Sequence, residues 1–371
     1  MKKWKVIIAA TAMAAAVTAA VPMSQSAASP AGLFSGTPAG GDSYHFSAIQ
    51  FLSSTTGRAA GNGFIVGTSD AGSSWQPIYK GTWQFSELDF INNTTGWALA
   101  KSDAVGPNAL IYTKDGGSTF TKIKTGDLKL LHVDFKDANN GFGYNFAFAY
   151  RTSDGGKSWT QIPTPPNTRY ADFQDTNNGW TLVVVPGFGY KLYETANGGK
   201  SWTMKLSVKS DEVTGGQLAV KGREVWAAFN GGAGMSQQSY SVYASADNGA
   251  DWRKVISQST AGGGPAPGGA QGIASEGPAS PGGHPGNLEL IDGAAVLAGY
   301  SPAGGVIGVG RSLDSGKSWT NLPAVPGFQS IISFTSQTSG WMADTSITQP
   351  AVYRTKDGGK SWTNVLTIPA R

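Results

Sequence analysis

The sequence predicts an all-β fold, a single seven-bladed β-propeller. Three observations carry that expectation. First, one short phrase recurs seven times: Ser or Thr, any residue, usually Asp, any residue, Gly, two more residues, then Trp or Phe. The copies start at Thr68, Thr113, Thr152, Thr195, Ser245, Ser312 and Thr355. Second, the intervals between them are 45, 39, 43, 50, 67 and 43 residues, the span of one four-stranded blade. Third, a companion phrase precedes most copies, an apolar run ending in Phe and then Gly followed by Trp or Phe: Leu88-Asp89-Phe90 with Gly96-Trp97, Val133-Asp134-Phe135 with Gly141-Phe142, Ala171-Asp172-Phe173 with Gly179-Trp180, and a weaker Ser333-Phe334 with Gly340-Trp341. Turn formers such as Asn92-Asn93-Thr94-Thr95 fill each gap, which is hairpin punctuation.

Residues 1–28 read as a secretory signal peptide. Lys2, Lys3 and Lys5 precede an apolar, Ala-rich run from Val6 to Val21, and Ser26-Ala27-Ala28 offers small residues for cleavage. The run is short for a membrane span and Pro22 follows it, so no span is expected after cleavage. The protein is therefore expected to be secreted or held in the cell envelope. Residues 29–45 form an N-terminal linker, and the propeller covers 46–371.

One unit, the third, illustrates the template. Its strands are expected at about 129–135, 142–145, 147–152 and 158–162, with the Asp phrase turning the last pair. The fifth unit is the loosest, with 217–220 and 224–228 as its first strands. The 67-residue interval contains Ser257–Pro285, almost entirely Gly, Pro, Ala and Ser, and expected to be a disordered insert between blades five and six.

The chain contains no Cys, so its fold rests on its core without disulfides. Three of the 28 basic residues and none of the 24 acidic residues lie in 1–28, which leaves a net charge of about +1. That balance gives no electrostatic footprint for nucleic acid. His45, His132 and His284 lack metal-ligand spacing, and neither a Gly-x-Ser-x-Gly elbow nor a phosphate loop is present. No cofactor or metal is expected.

Each position of the repeated phrase has a structural task. Glycine pairs such as Gly116-Gly117 supply positive φ, while the hydroxyl and carboxylate bond the turn's own backbone. Asp70, Asp115, Asp154, Asp247, Asp314 and Asp357, with Asn197 standing in once, are accordingly read as structural. The phrase resembles the Asp-box, or BNR repeat, over nearly the whole chain after residue 28. In families with that repeat the boxes sit away from the active centre. Combined with Phe…Gly-Trp, the pattern is similar to the photosystem II stability and assembly factor family and its relatives in non-photosynthetic bacteria. That resemblance implies a binding scaffold, and with the signal peptide the chain is expected to be an exported, non-catalytic monomer that docks a protein partner.

The alternative is a cell-surface glycan-binding or sialidase-like glycoside-hydrolase propeller. A sialidase needs three Arg on a substrate carboxylate, a Tyr–Glu nucleophile and an acid/base. Here Arg151, Arg311 and Arg354 precede boxes and follow the repeat, and no Arg-Ile-Pro segment opens the first blade. Glu87 and Glu289 fall in or near inner strands and are the one carboxylate pair to consider. An Asp-box endoglucanase would carry two propellers, and this chain has room for one. Catalytic residues are thus expected to be absent.

Binding is expected on the face opposite the boxes, where the long loops gather. Trp83, Arg169, Tyr170, Phe188, Tyr190, Asp211, Glu212 and Tyr300 are the ligand-binding candidates there, aromatics beside hydrogen-bonding groups.

Overall fold

The computed structural model describes Phe34, Pro38, Gly41 and residues 43–102, 106–234, 237–269 and 283–369. The expected signal peptide lies outside them. Among the described residues, 27 strands form six antiparallel sheets. The first contains β1 (Phe46–Phe51), β2 (Gly57–Thr68), β3 (Gln76–Phe90), β4 (Gly96–Lys101), β5 (Ala109–Thr113) and β6 (Thr121–Lys122). The second contains β7 (His132–Phe135), β8 (Gly141–Tyr144), β9 (Ala149–Thr152) and β10 (Thr160–Ile162). The third contains β11 (Thr168–Phe173), β12 (Gly179–Val185), β13 (Gly189–Thr195) and β14 (Thr203–Lys209). The fourth contains β15 (Gly215–Lys221), β16 (Glu224–Ala233), β17 (Gln238–Ser245) and β18 (Arg253–Gln258). The fifth contains β19 (His284–Ile291), β20 (Ala294–Ser301), β21 (Val306–Ser312), β22 (Thr320–Asn321) and β23 (Val325–Pro326). The sixth contains β24 (Ser330–Phe334), β25 (Gly340–Asp344), β26 (Ala351–Thr355) and β27 (Thr363–Thr367).

The fold is an all-β propeller, but it has six blades rather than the seven expected. The cause is β3. Its 15 residues run without a break from the outer strand of the first repeat into the inner strand of the second. Gln76–Phe90 holds no Asn-Gly or Asp-Gly turn and is rich in strand formers, so the two repeats share one six-stranded sheet. Gly81, the counterpart of Gly126 in the next repeat, does not end the strand; the β2–β3 ladder shifts register near it and β3 continues.

The companion phrase is a cross-strand pair. Phe51, Phe90, Phe135, Phe173 and Phe334 sit opposite Gly57, Gly96, Gly141, Gly179 and Gly340. Each ring lies flat on its glycine; a Cβ at Gly96 would come within 2.5 Å of Phe90. The next residue then packs onto the following sheet. Trp97 stacks on Phe135 at 3.7 Å and its Nε1 donates to the Gly155 carbonyl oxygen at 3.1 Å. Phe142 stacks on Phe173 at 4.9 Å. Trp341 stacks on Phe51 at 3.5 Å and donates to the Ala71 oxygen at 3.1 Å. The contact that joins successive sheets thus also closes the ring from the sixth sheet to the first.

A second set of bonds joins inner strands, between sheets except for the first, which lies within the six-stranded sheet. Side chains of inner strands accept backbone N–H groups of the next inner strand: Gln50 from Phe90 (2.8 Å), Asp89 from Phe135 (2.6 Å), Asp172 from Val220 (3.0 Å), Gln217 from Leu288 (3.0 Å) and Glu289 from Phe334 (2.8 Å). Ser333 accepts from Phe51 at 2.9 Å, the bond of this set between the sixth sheet and the first.

The Gly/Pro-rich segment expected to be disordered departs from that expectation at both ends. Residues 257–269 lie across the fourth sheet. Ser239 Oγ donates to the Gly263 oxygen (2.8 Å), Lys254 Nζ donates to the oxygens of Gly268 and Gly269 (each 2.9 Å), and Ala266 is buried. The segment's low apolar content is offset by bonds from Ser239 on β17 and from Lys254 on β18, the strand that runs into it. β19 begins at His284, and 270–282 lie outside the described residues.

Candidate functional site

The box turns all share one geometry. In the first, Thr68 Oγ1 donates to Asp70 Oδ1 (2.8 Å) and accepts the Gly72 N–H (2.8 Å). Asp70 accepts the Ser74 N–H (2.8 Å) on Oδ1 and the Ser74 hydroxyl (2.6 Å) on Oδ2. Asp115, Asp154, Asp314 and Asp357 repeat this set with Thr119, Ser158, Ser318 and Ser361. Asn197 keeps it by donating Nδ2 to Ser201 Oγ (2.8 Å), and Asp247 accepts the Asp251 N–H (3.0 Å). The Ser or Thr hydroxyl and N–H hold the carboxyls of Asp70, Asp115, Asp154 and Asp314 down to about 2. These carboxylates are occupied by their own turns, which leaves them no part in chemistry at the opposite face.

The carboxylates near the axis are also engaged. His132 Nδ1 meets Glu87 Oε1 at 2.6 Å, and its ring stacks on Tyr144 (5.4 Å) and Tyr170 (6.0 Å). Burial alone would lower the His132 pKa; Glu87, with Asp134 and Asp89, overrides it and pushes it up to about 9. The ring keeps 39% of its side-chain area accessible because it faces the axis, while strands crowd it on the other sides. Burial pushes Asp89 and Glu289 up to about 8, and Asp172 up to about 6. Glu87 belongs to the His132 pair and Glu289 to the Phe334 N–H, so the one carboxylate pair raised by the sequence is divided between two structural tasks. Among the described residues, no group of three or more His, Cys, Asp or Glu is arranged to hold a metal ion.

The arginines follow the same rule. Arg58 is buried, lies over the Phe90 ring at 4.1 Å and donates Nε to the Gly116 oxygen at 3.0 Å. Arg311 donates to the Gln337 oxygen at 2.9 Å, and Arg354 lies over the Trp341 ring at 5.9 Å. They clamp neighbouring elements and do not converge on a substrate carboxylate.

The loop face presents a different surface. The turn between β8 and β9 is stapled by Asn145, whose Oδ1 accepts the N–H groups of Ala147 (2.9 Å) and Phe148 (2.8 Å). The staple holds Phe146 outward at 72% exposure, with Phe148 and Leu131 each at 43%. Arg169, on β11, braces the tip by donating Nη1 to the Phe146 oxygen at 3.3 Å. Leu131, Asn145, Phe146 and Phe148, with Lys101, Pro107, Asn108 and Lys129, line a groove of about 460 Å³.

Of the sequence candidates, Arg169 reaches this neighbourhood through Phe146, while Tyr170 stacks on His132 nearer the axis. The others are dispersed. Trp83 is half-buried against the core of the first sheet. Phe188 caps the β12–β13 turn with Lys191 5.5 Å from its ring. Asp211 and Glu212 are exposed between the third and fourth sheets. Tyr300 stacks on His284 at 5.3 Å in the fifth. Tyr190 corrects the sequence reading: it is fully buried, stacks on Phe229, and its hydroxyl accepts the Thr214 N–H at 3.0 Å and donates to the Asn230 oxygen. Sequence reasoning missed Leu131, Phe146 and Phe148. The available signal was Asn145-Phe-Ala-Phe148, two aromatics inside a four-residue turn.

No protein-family model and no curated protein matches the chain. Solved structures do. A structure described as YCF48 bound to D1 peptide is 18% identical, with a TM-score of 0.50, covering 81% of this chain and 90% of that one. YCF48 from Cyanidioschyzon merolae is 17% identical, with a TM-score of 0.52 and coverages of 85% and 96%. The GH74 xyloglucanase from Xanthomonas campestris is 12% identical, with a TM-score of 0.59; the match covers 89% of this chain but only 55% of the enzyme. At these identities the likeness is one of fold, shared by binding and catalytic propellers alike.

Proposed function

We propose that this chain is an exported, non-catalytic scaffold, acting as a monomer, that docks a segment of a protein partner on its loop face. The observation that carries the reading is the groove at Phe146 and Phe148. A phenylalanine held 72% exposed by a hydrogen-bonded turn gains nothing within the fold, and clustered apolar exposure marks interaction surfaces. The YCF48 structure with its D1 peptide supports the reading as a precedent for peptide docking on this fold. The alternative, a cell-surface glycan-binding or glycoside-hydrolase propeller, leans on the xyloglucanase likeness and needs a free carboxylate pair. Asp89, Asp172 and Glu289 carry backbone N–H groups instead.

The test places a photo-crosslinking phenylalanine analogue at position 146 and, as a control, at position 360 among the boxes. A polypeptide of the cell envelope crosslinked only from 146 is then purified and titrated calorimetrically. It is expected to bind Phe146→Ser about tenfold or more weakly than the unmodified protein. Equal affinity for both proteins, or crosslinking from both positions alike, overturns the reading.

A further inference from the structure

The box face carries a second groove, between the first and second sheets, unrelated to the loop-face reading. It measures about 510 Å³. Its floor is apolar: the Tyr112 ring lies 5.1 Å from Trp97, beside Ile123. Its walls carry Lys114, Lys122, Lys124 and Lys157, all exposed. None of the four forms an ion pair among the described residues. The nearby carboxylates are committed: Asp115 and Asp154 to their box turns, and Asp137 to the N–H groups of Asn139 and Asn140.

The repeat supplies an internal control. Positions equivalent to Lys114, Lys122, Lys124 and Lys157 are Ser153, Gln161, Pro163 and Lys200 one unit later. Where the last unit meets the first they are Lys356, Asn364, Leu366 and Ser73. The fold therefore does not require four lysines; this one groove collects them.

We propose that the groove binds an anionic glycan, a strand bearing carboxylate or sulfate groups. Flexible ammonium groups suit spaced anions, and Thr121 and Asn139 add hydrogen-bonding groups for hydroxyls. Tyr112 and Ile123 offer a surface for the apolar faces of sugar rings. An acidic peptide fits less well. The edge strand β6 is two residues long and gives almost no ladder to extend, so a peptide would be held by its side-chain carboxylates alone.

The experiment titrates purified protein with a galacturonate oligomer, a neutral dextran oligomer and a poly-glutamate peptide at low ionic strength. The galacturonate oligomer should bind, weakening with added salt, while dextran does not. Lys122→Gln/Lys124→Gln should weaken binding about tenfold, and Lys356→Gln/Lys360→Gln, which removes the same charge, by less than about twofold. Thermal melting of both variants verifies folding, and Phe146→Ser should bind galacturonate normally, separating this site from the loop face. Absence of galacturonate binding, an equal loss in both lysine pairs, or equal affinity for poly-glutamate overturns the proposal.

Discussion

The two grooves border the same small sheet, β7–β10, from opposite faces, and they are built in opposite ways. On the loop face the sheet offers apolar side chains on a turn whose backbone is satisfied by one Asn. On the box face it offers Lys157 from a turn in which the hydroxyl, the carboxylate and both glycines already have partners. A turn so committed can vary only at positions it does not use, and Lys114 and Lys157 occupy such positions. The loop turns carry no repeated bond set, so both their length and composition are open to variation. Chemistry can therefore be added to one face wholesale, and to the other only one interstitial residue at a time.

The largest expected effect would erase the comparison. Trp341→Ala removes the stack on Phe51 and the bond to Ala71, and should cost about 3–5 kcal/mol in chemical denaturation. Both grooves depend on a closed ring, so both binding activities should weaken together. Unchanged stability would mean that the sixth and first sheets are held by something other than this contact. Phe146→Ser/Phe148→Ser sharpens the comparison instead. Partner affinity should fall about tenfold or more while stability shifts by under about 0.5 kcal/mol.

Tyr190→Phe should cost about 1 kcal/mol, since it removes the hydroxyl that bonds the Thr214 N–H and the Asn230 oxygen. Loop-face binding should be intact; a binding defect without destabilisation would return Tyr190 to the surface role. The smallest effect is with pH, and the two regions should oppose each other. Asp89 and Glu289 at about 8, and Asp172 at about 6, hold protons more tightly than in the unfolded chain. Their stabilisation is complete below about pH 4 and lost as pH rises toward 8. His132 at about 9 adds to the same trend above pH 6.5. The box carboxylates at about 2 do the reverse, losing stabilisation only as pH falls from about 4 to 2. Melting temperature should thus fall between pH 5 and pH 9, and Asp89→Asn should flatten that fall; a rise over the same range would refute the assignment.

Much of the fold is legible in the sequence because its determinants are local. The Phe–Gly pairs face each other across β1–β2 and β7–β8 as their spacing implies, and three strands of the third unit fall within the expected spans, while β8 begins one residue early at Gly141. The turn Asp residues bond neighbours four positions away. What sequence reading misses is set at long range or by absence. The six-blade count depends on β3 running past Pro77 and Gly81 with only a shift in register. The ordering of 257–269 depends on Ser239 and Lys254, on strands that composition cannot connect to it. For the site, alternation cannot distinguish an outward Phe146 from the first residue of β9, nor a buried Tyr190 from an exposed loop aromatic. Those distinctions reside in the Asn145 staple and the Asn230 carbonyl.

Each sheet is drawn from one continuous stretch of chain, and the sixth meets the first without sharing a strand. Every other junction is also crossed by the polypeptide itself. The junction of Ser333, Trp341 and Phe51 is therefore a clasp, the one place among the described residues where the ring is fastened but not sewn. Under mechanical tension applied across the molecule, the clasp should open before any ladder unzips, at low force and reversibly. The protein would then lengthen as a chain of intact sheets rather than unravel.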